Sequence, residues 1–464
     1  MARTREVLCS VSYGKSEKVN TVSGQIMEIK HKSELAGEVQ EFVRRGFSPQ
    51  FGRLKEGFRT EAVWRRFREI GTDLWLDTGS IEDSEPLWTR EFSALTTNNT
   101  LLNKEVQTGR YDSLICQAAE MLAAYPQMTE DERMLEMAFI LNAWHGLRLV
   151  EKFDAFVSVE EHTDLAHDVG RAVECARRFH KICPERFFVK IPFTPAGLLA
   201  TRLLSGEGVA VNHTLGFSAR QNYVIARIGR PAYVNVFLGR LNSFVADNDL
   251  GDGSYIGEKA TLASQTVIKH LREAQKTESV QIGASMRAGK QMQDLAGIDV
   301  MTVPPKVASE LLSMNLTSEK IVDRTGMNYK AGFSVEEDPK AVRLDTLWEV
   351  NEQLAACMDA LEEENLDSFT PDDLVSFFKS RGCGDVLVAW KHSHIATSAA
   401  EGKIPRLENW QDALSEKAIG LDSLMNLAGL NSFITDQKAM DQRVRDVLAA
   451  KGMIEAVKTG KITG

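Results

Sequence analysis

The sequence predicts a parallel (β/α)8 barrel of the TIM type, with helical extensions at both ends, and three observations carry that reading. From residue 74 onward, eight short runs rich in β-branched and aromatic residues alternate with longer helical stretches. Several of the runs are almost unbroken in apolar residues, as strands covered on both faces are. The segments between them, such as 164–180 and 257–274, repeat apolar residues at helical spacing. Eight such units close into a barrel of ordinary size. An open doubly wound sheet is the alternative, but no G-x-G-x-x-G follows a first strand. The stretch GDGSYIG at 251–257 has the wrong spacing, follows the sixth strand and reads as a flexible loop.

Taken in order, residues 1–70 read as a helical N-terminal extension. Its cations (Arg44, Arg45, Arg53, Lys55, Arg59, Arg65, Arg66, Arg68) interleave with Phe42, Phe47, Phe51, Leu54, Phe58, Val63, Trp64 and Phe67. That pattern is the polar side of amphipathic helices rather than a polynucleotide site. The barrel is expected over 71–335, with strands LWLDTG (74–79), EFSALTTN (91–98), AFVSVE (155–160), FFVKIP (187–192), VAVNHTLGFS (209–218), AYVNVFLGR (232–240), SVQIGAS (279–285) and DVMTVPP (299–305). Residues 99–154 exceed one crossover helix and predict two or three helices, broken near Tyr125-Pro126-Gln127. From 336 to 464 the pattern is helical again, expected to pack on the barrel, with Thr370-Pro371 as an N-cap and first helical residue. Glu362-Glu363-Glu364 reads as a solvated helix face.

Composition removes several function classes. A chain of 464 residues with net charge −10 and pI near 5.6 lacks the footprint of a general nucleic-acid binder. No run approaches the ~20 apolar residues that span a bilayer, and MARTREVLCSVSYGKSEK has no apolar leader core. Cys9, Cys116, Cys175, Cys183, Cys357 and Cys383 form no C-x-x-C pair, which suits a reduced, cytoplasmic setting. The histidines form no ligand set; His392 and His394 lack a third partner, so no metal is expected.

Lys190 sits in the middle of Phe-Phe-Val-Lys-Ile-Pro-Phe (187–193). An ammonium is costly to bury unpaired, and burial favours the neutral amine that attacks a carbonyl. In a barrel, active-site groups stand at the C-terminal strand ends. The polar residues collected there are Asp77, Asn98, Glu160, Lys190, Asn212, Thr214, Asn235 and Arg240, with Ser285 and Arg287 just after the seventh strand. His213 falls on the other face of its strand from Asn212 and Thr214 and reads as a hydrogen-bonded core histidine. An imine-forming lysine requires such a set: carboxyls to move protons, and the imine nitrogen as an electron sink. The arginines add an anion site suited to a phosphorylated substrate.

The stretches DTGSIE (77–82), TTNNTLL (96–102), VSVE (157–160), VKIPFTPAGLLA (189–200), VNHTLGFSARQ (211–221), FLGRL (237–241) and GASMRAGKQMQDLAG (283–297) resemble the transaldolases, Schiff-base enzymes of sugar-phosphate metabolism, in the family's order across 72–305. The resemblance implies a ketol-transferring enzyme of the pentose phosphate pathway that needs no cofactor, acts on sugar phosphates and could form a homodimer. It also implies roles. Lys190 would form the imine with the ketose donor, and Asp77 would act on the donor's hydroxyl during cleavage. Glu160, helped by Thr214, would hold a proton-relaying water. Asn98 and Asn212 would hold the dihydroxyacetone unit. Arg240, Ser285 and Arg287 would hold the phosphate.

This chain departs from the family pattern at three positions. Asn99 stands where proline is usual, Gly216 where a larger apolar residue is usual, and Asn235 where serine is common. The last two bear on the acceptor and donor region. A fructose-6-phosphate-aldolase-like enzyme, which releases free dihydroxyacetone, usually has glutamine at the third-strand carboxylate and tyrosine at the sixth-strand aromatic. Glu160 and Phe237 favour transfer. A silent sugar-phosphate-binding barrel is disfavoured by the joint presence of Asp77, Glu160 and Lys190, and a zinc aldolase by the lack of three strand-end histidines.

Overall fold

The computed structural model describes residues 32–334 and 340–453. The chain divides into two compact units, Met1–Arg45 and Gly46–Gly464. In the first, residues 32–44 are helical, with Leu35, Val39 and Val43 buried at four-residue spacing. The start of the chain, read from its sequence as lacking an apolar leader core, and Cys9 lie outside the described residues.

The second unit holds a closed barrel of eight parallel strands in chain order. They are β1 (Asp73–Asp77), β2 (Phe92–Thr96), β3 (Phe156–Glu160), β4 (Phe187–Pro192), β5 (Val211–Thr214), β6 (Tyr233–Phe237), β7 (Val280–Ala284) and β8 (Val300–Val303). Closure comes from β1 pairing with β8, Trp75 opposite Thr302. The predicted strands are all present; β4 spans the predicted 187–192 and the others are shorter. β2 stops at Thr96, so Asn98 is not on it: Asn98 caps the helix Asn99–Gln107, its side chain accepting from the Leu101 N–H at 2.8 Å. β6 stops at Phe237, and Arg240 stands in the first turn of the helix Leu238–Asp247. In both cases a capping residue or a turn ends the ladder before the apolar run ends.

Residues 99–154 form three helices, Asn99–Gln107, Asp112–Leu122 and Glu130–Phe153, the second break falling at the predicted Tyr125-Pro126. The loop before Ile256–Glu273 contains Gly251 and Gly253 at positive φ; Gly257 is already helical. Thr370 caps Pro371–Ser380 with a reciprocal Asp373 contact, as its sequence predicts. In Ala62–Glu69 the apolar Val63, Trp64 and Phe67 are buried while the arginines face outward, the amphipathic arrangement expected of that stretch.

The barrel interior is graded. Toward the N-terminal ends of the strands it is plugged by aromatic rings: Trp75 stacks on Phe188 at 5.6 Å and meets Tyr233 edge-on at 4.7 Å, while Phe156 stacks on Phe188 at 4.9 Å. One or two inward positions further on, the residues become polar. Side chains alternate along a strand, so this switch confines polar groups to the C-terminal mouth and leaves the floor dry.

After the barrel the chain continues through helices Glu352–Glu362, Pro371–Ser380 and His392–Glu401 to the long C-terminal helix Leu421–Ala450. Its first half is buried throughout, from Leu421 to Phe433. An ion network anchors it. Asp422 accepts two bonds from Arg220 (2.7 and 2.8 Å) and one from Ser218 Oγ at 2.6 Å, and Arg220 also donates to Asp385 at 2.7 Å. Arg343 reaches Asp385 at 3.0 Å. Among the described residues no helix is long and apolar enough to cross a membrane, and Cys116, Cys175, Cys357 and Cys383 are free thiols.

Candidate active site

Parallel pairing places Glu160 beside Lys190 and Lys190 beside Asn212, so three neighbouring strands present these side chains at one level. The strand around Lys190 is buried at every residue, and Lys190 itself is 2 % exposed. Its Nζ lies 4.0 Å from Glu160 Oε1. Burial raises the Glu160 carboxyl above its ordinary range, opposed by the Lys190 charge and by the Asn99 N–H. Asp77, at the end of β1, is pushed up to about 6 by burial, opposed by Lys190 and Lys104.

The asparagines are held in a chain. Asn235 donates to the His213 carbonyl at 2.9 Å and, at the long distance of 3.4 Å, to Asn212 Oδ1. Asn212 in turn donates to Ser158 Oγ at 3.1 Å. These bonds orient both amides before any ligand arrives. His213 is fully buried on the outer face of β5, its Nδ1 2.9 Å from Thr201 Oγ1, the core role its position predicts.

A cavity of about 430 Å3 opens at this mouth. Of the sequence-predicted residues, Asp77, Asn98, Lys190, Asn212, Asn235, Phe237, Arg240, Ser285 and Arg287 line it. Glu160 and Thr214 are buried and lie outside the lining, with Glu160 against the lysine from the side and Thr214 Oγ1 unpartnered among the described residues. Gly216 does not line it either. A Cβ there would collide with the Asn235 carbonyl and Asn222, so glycine serves close strand packing at that position.

Also lining the cavity, Arg240 is 8 % exposed, and its Nη1 has no hydrogen-bond partner among the described residues. Burial and the neighbouring Arg287 lower its guanidinium to about 10, offset in part by Asp436. Neither arginine has an ion-pair partner among the described residues, and both line the cavity. Next to them Ser285 adopts a left-handed conformation (φ 64°), as does Leu215 after β5 (φ 64°). Such strain in non-glycine residues gathers where geometry serves a site.

Three contributors were not legible in the sequence. The Asn99 N–H donates to Glu160 Oε2 at 2.9 Å, and its side chain donates to the Glu161 carbonyl at 2.9 Å. A proline there would lack the N–H, so the departure at 99 adds a bond to the carboxylate beside Lys190. Phe433 and Lys403, from the C-terminal segment, line the cavity as well. Among the described residues no cluster of three or more histidine, cysteine, aspartate or glutamate side chains could hold a metal.

The sequence profile of the Transaldolase/Fructose-6-phosphate aldolase family matches residues 74–380. A transaldolase of Xanthomonas euvesicatoria is 30 % identical over 47 % of this chain and 68 % of its own length. One from Prochlorococcus marinus is 27 % identical over 58 % of this chain and 82 % of its own. One from Vibrio parahaemolyticus is 26 % identical over 61 % of this chain and 87 % of its own. Barrel, cavity and matched span agree: the chain belongs to the transaldolase/fructose-6-phosphate aldolase family.

Proposed function

We propose that this protein is a transaldolase that carries a dihydroxyacetone unit from a ketose phosphate to an aldose phosphate as an imine on Lys190. The observation that carries the reading is the pairing, in one cavity, of a buried lysine 4.0 Å from a carboxyl group with two guanidiniums, Arg240 and Arg287, neither of which has an ion-pair partner among the described residues. The Lys190 amine adds to the ketose carbonyl, and Glu160, with Thr214, supports the proton transfers that expel water. Asp77 takes the proton from the donor's C4 hydroxyl as the C3–C4 bond breaks, and the electron pair passes into the imine. Asn98 and Asn212 hold the three-carbon unit; Arg240, Ser285 and Arg287 hold the phosphate. The relatives named transaldolase, and Phe237, which offers no hydroxyl to position a water, support transfer over release of free dihydroxyacetone. A coupled assay of fructose 6-phosphate with and without erythrose 4-phosphate tests the choice. Turnover that needs no acceptor, and yields mainly dihydroxyacetone when acceptor is abundant, would replace transfer with aldol cleavage.

The phosphate role makes a separate prediction. Arg240→Ala and Arg287→Ala each remove a charge-assisted contact of about 1.5–3 kcal/mol and should weaken phosphorylated substrates by roughly 10- to 150-fold. Unphosphorylated fructose should lose far less. Equal losses for both substrates, read from kcat/KM, would assign the arginines to structure.

Asp77 predicts the pH dependence. As the base it must be ionised, so kcat/KM should fall as pH drops below about 6, the value to which burial raises it. The sign for stability is opposite. Its folded pKa exceeds the unfolded 3.8, so the folded state binds the proton more tightly, and stability falls as pH rises between about 4 and 6. Asp77→Asn should therefore stop cleavage yet stabilise the fold by about 1–3 kcal/mol at pH 8, with little gain at pH 4. Denaturant titrations at the two pH values read this, and equal effects at both would contradict it.

A further inference from the structure

The C-terminal helix brings a residue into the site from beyond the span that matches the family. Phe433 lies outside residues 74–380, is 4 % exposed and lines the cavity. Its ring centroid is 5.7 Å from Lys190 Nζ and 5.8 Å from the Arg240 guanidinium carbon. It lies 6.5 Å from the Phe237 ring. Phe433 therefore lies within 6 Å of both the amine and the guanidinium, and all three side chains line one cavity.

Its position is held from several sides. Asn426, two turns earlier, donates to the carbonyl of the left-handed Leu215 at 3.1 Å. Gly429, one turn earlier, leaves room for Leu215 and for the Arg240 guanidinium; a Cβ there would sit 2.9 Å from the Leu215 side chain and 3.5 Å from Arg240 Nη1. One turn beyond Phe433, Asp436 accepts a bond from Thr100 Oγ1 on the helix that follows β2. Contacts before and after the ring thus fix this stretch of helix to two different strand ends.

We propose that Phe433 is a specificity residue that shields the lysine-bound donor from water and so favours transfer over release. The inference rests on the function proposed above. Once the aldehyde product has left, the donor remains on Lys190 as an enamine with two fates. Its carbon can attack an acceptor aldehyde, forming a C–C bond while the aldehyde oxygen takes a proton; water then adds to the product iminium, the C–N bond breaks, and the new ketose leaves with the Lys190 amine restored. Alternatively the same carbon takes a proton from water, a second water adds to the resulting iminium, the C–N bond breaks, and dihydroxyacetone leaves with the Lys190 amine restored. Only the second route requires water at the enamine carbon, and an apolar ring over that region withholds it.

The test compares wild type, Phe433→Ala and Phe433→Leu in full-length protein, given fructose 6-phosphate with erythrose 4-phosphate. The readout is the ratio of free dihydroxyacetone to sedoheptulose 7-phosphate, with borohydride trapping on Lys190 in each protein. Phe433→Ala should raise the ratio by roughly ten-fold or more while trapping persists, because the vacated ring volume admits water. Phe433→Leu, which keeps most of the bulk, should stay within about three-fold of wild type. If transfer and release fall together in Phe433→Ala with their ratio unchanged, the ring is only structural and the proposal fails. A ratio as high with leucine as with alanine would also overturn shielding by bulk. Wild type that yields no trapped adduct overturns the imine reading itself, and the shielding with it; a trapped wild type with an unmoved ratio overturns the shielding alone.

Discussion

Lys190→Met should lower ketol transfer by at least about 1,000-fold and abolish borohydride-dependent inactivation by ketose phosphates. The reason lies in the division of labour within the cavity. Asp77 and Glu160 can move protons, and the asparagines and arginines can hold a sugar phosphate, but only a primary amine offers a covalent electron sink when the carbon–carbon bond breaks. Methionine approximates the length and volume of the lysine stem, so β4, buried at every position, should tolerate it. Glu160 would lose its cationic neighbour, and its carboxyl, already raised by burial, would be neutral over a wider pH range. The fold should therefore persist while the chemistry disappears. The checks are the coupled transfer assay and intact mass after borohydride with fructose 6-phosphate. A wild-type protein labelled on a different lysine, or a methionine variant that still transfers at near wild-type rate, would remove the mechanism.

The second large effect concerns the anchoring of the C-terminal helix. Asp422 is fully buried and neutralises Arg220, itself 5 % exposed, through paired bonds of 2.7 and 2.8 Å. Asp422→Ala strands the guanidinium with Asp385 as its remaining carboxylate and should cost about 3–5 kcal/mol, the usual result of breaking a buried ion pair from one side. Urea denaturation followed by tryptophan fluorescence should show a clearly lower midpoint. Since the same helix carries Phe433, the surviving folded protein should also release more dihydroxyacetone per transfer. An unchanged midpoint would mean that solvent or Asp385 satisfies Arg220 alone.

The barrel was legible because covering a parallel strand on both faces leaves a mark within the strand itself, a short apolar run bounded by helical segments. The mouth was legible for a related reason. Lys190, Asn212 and Asn235 interrupt such runs, and a polar group within an otherwise dry strand is visible without knowing its neighbours. Strand ends were less so. Asn98 and Arg240 lie beyond β2 and β6 because capping and helix initiation, set by backbone geometry, end a ladder before apolar character fades.

Tertiary structure alone decided three things. The register that sets Glu160 beside Lys190 and Lys190 beside Asn212 depends on pairing between segments whose order along the strands no single run encodes. The bond from Asn99 to Glu160 comes from a backbone N–H, which every residue but proline carries, so side-chain pattern could not reveal it. Phe433 reads in sequence as one more apolar residue on a long helix, and its place over Lys190 follows from where that helix is tied down, by Asp422 to Arg220 and by Asn426 to Leu215. Periodicity records which face of an element is buried. Which distant element buries it is decided by contacts that the chain makes only when folded.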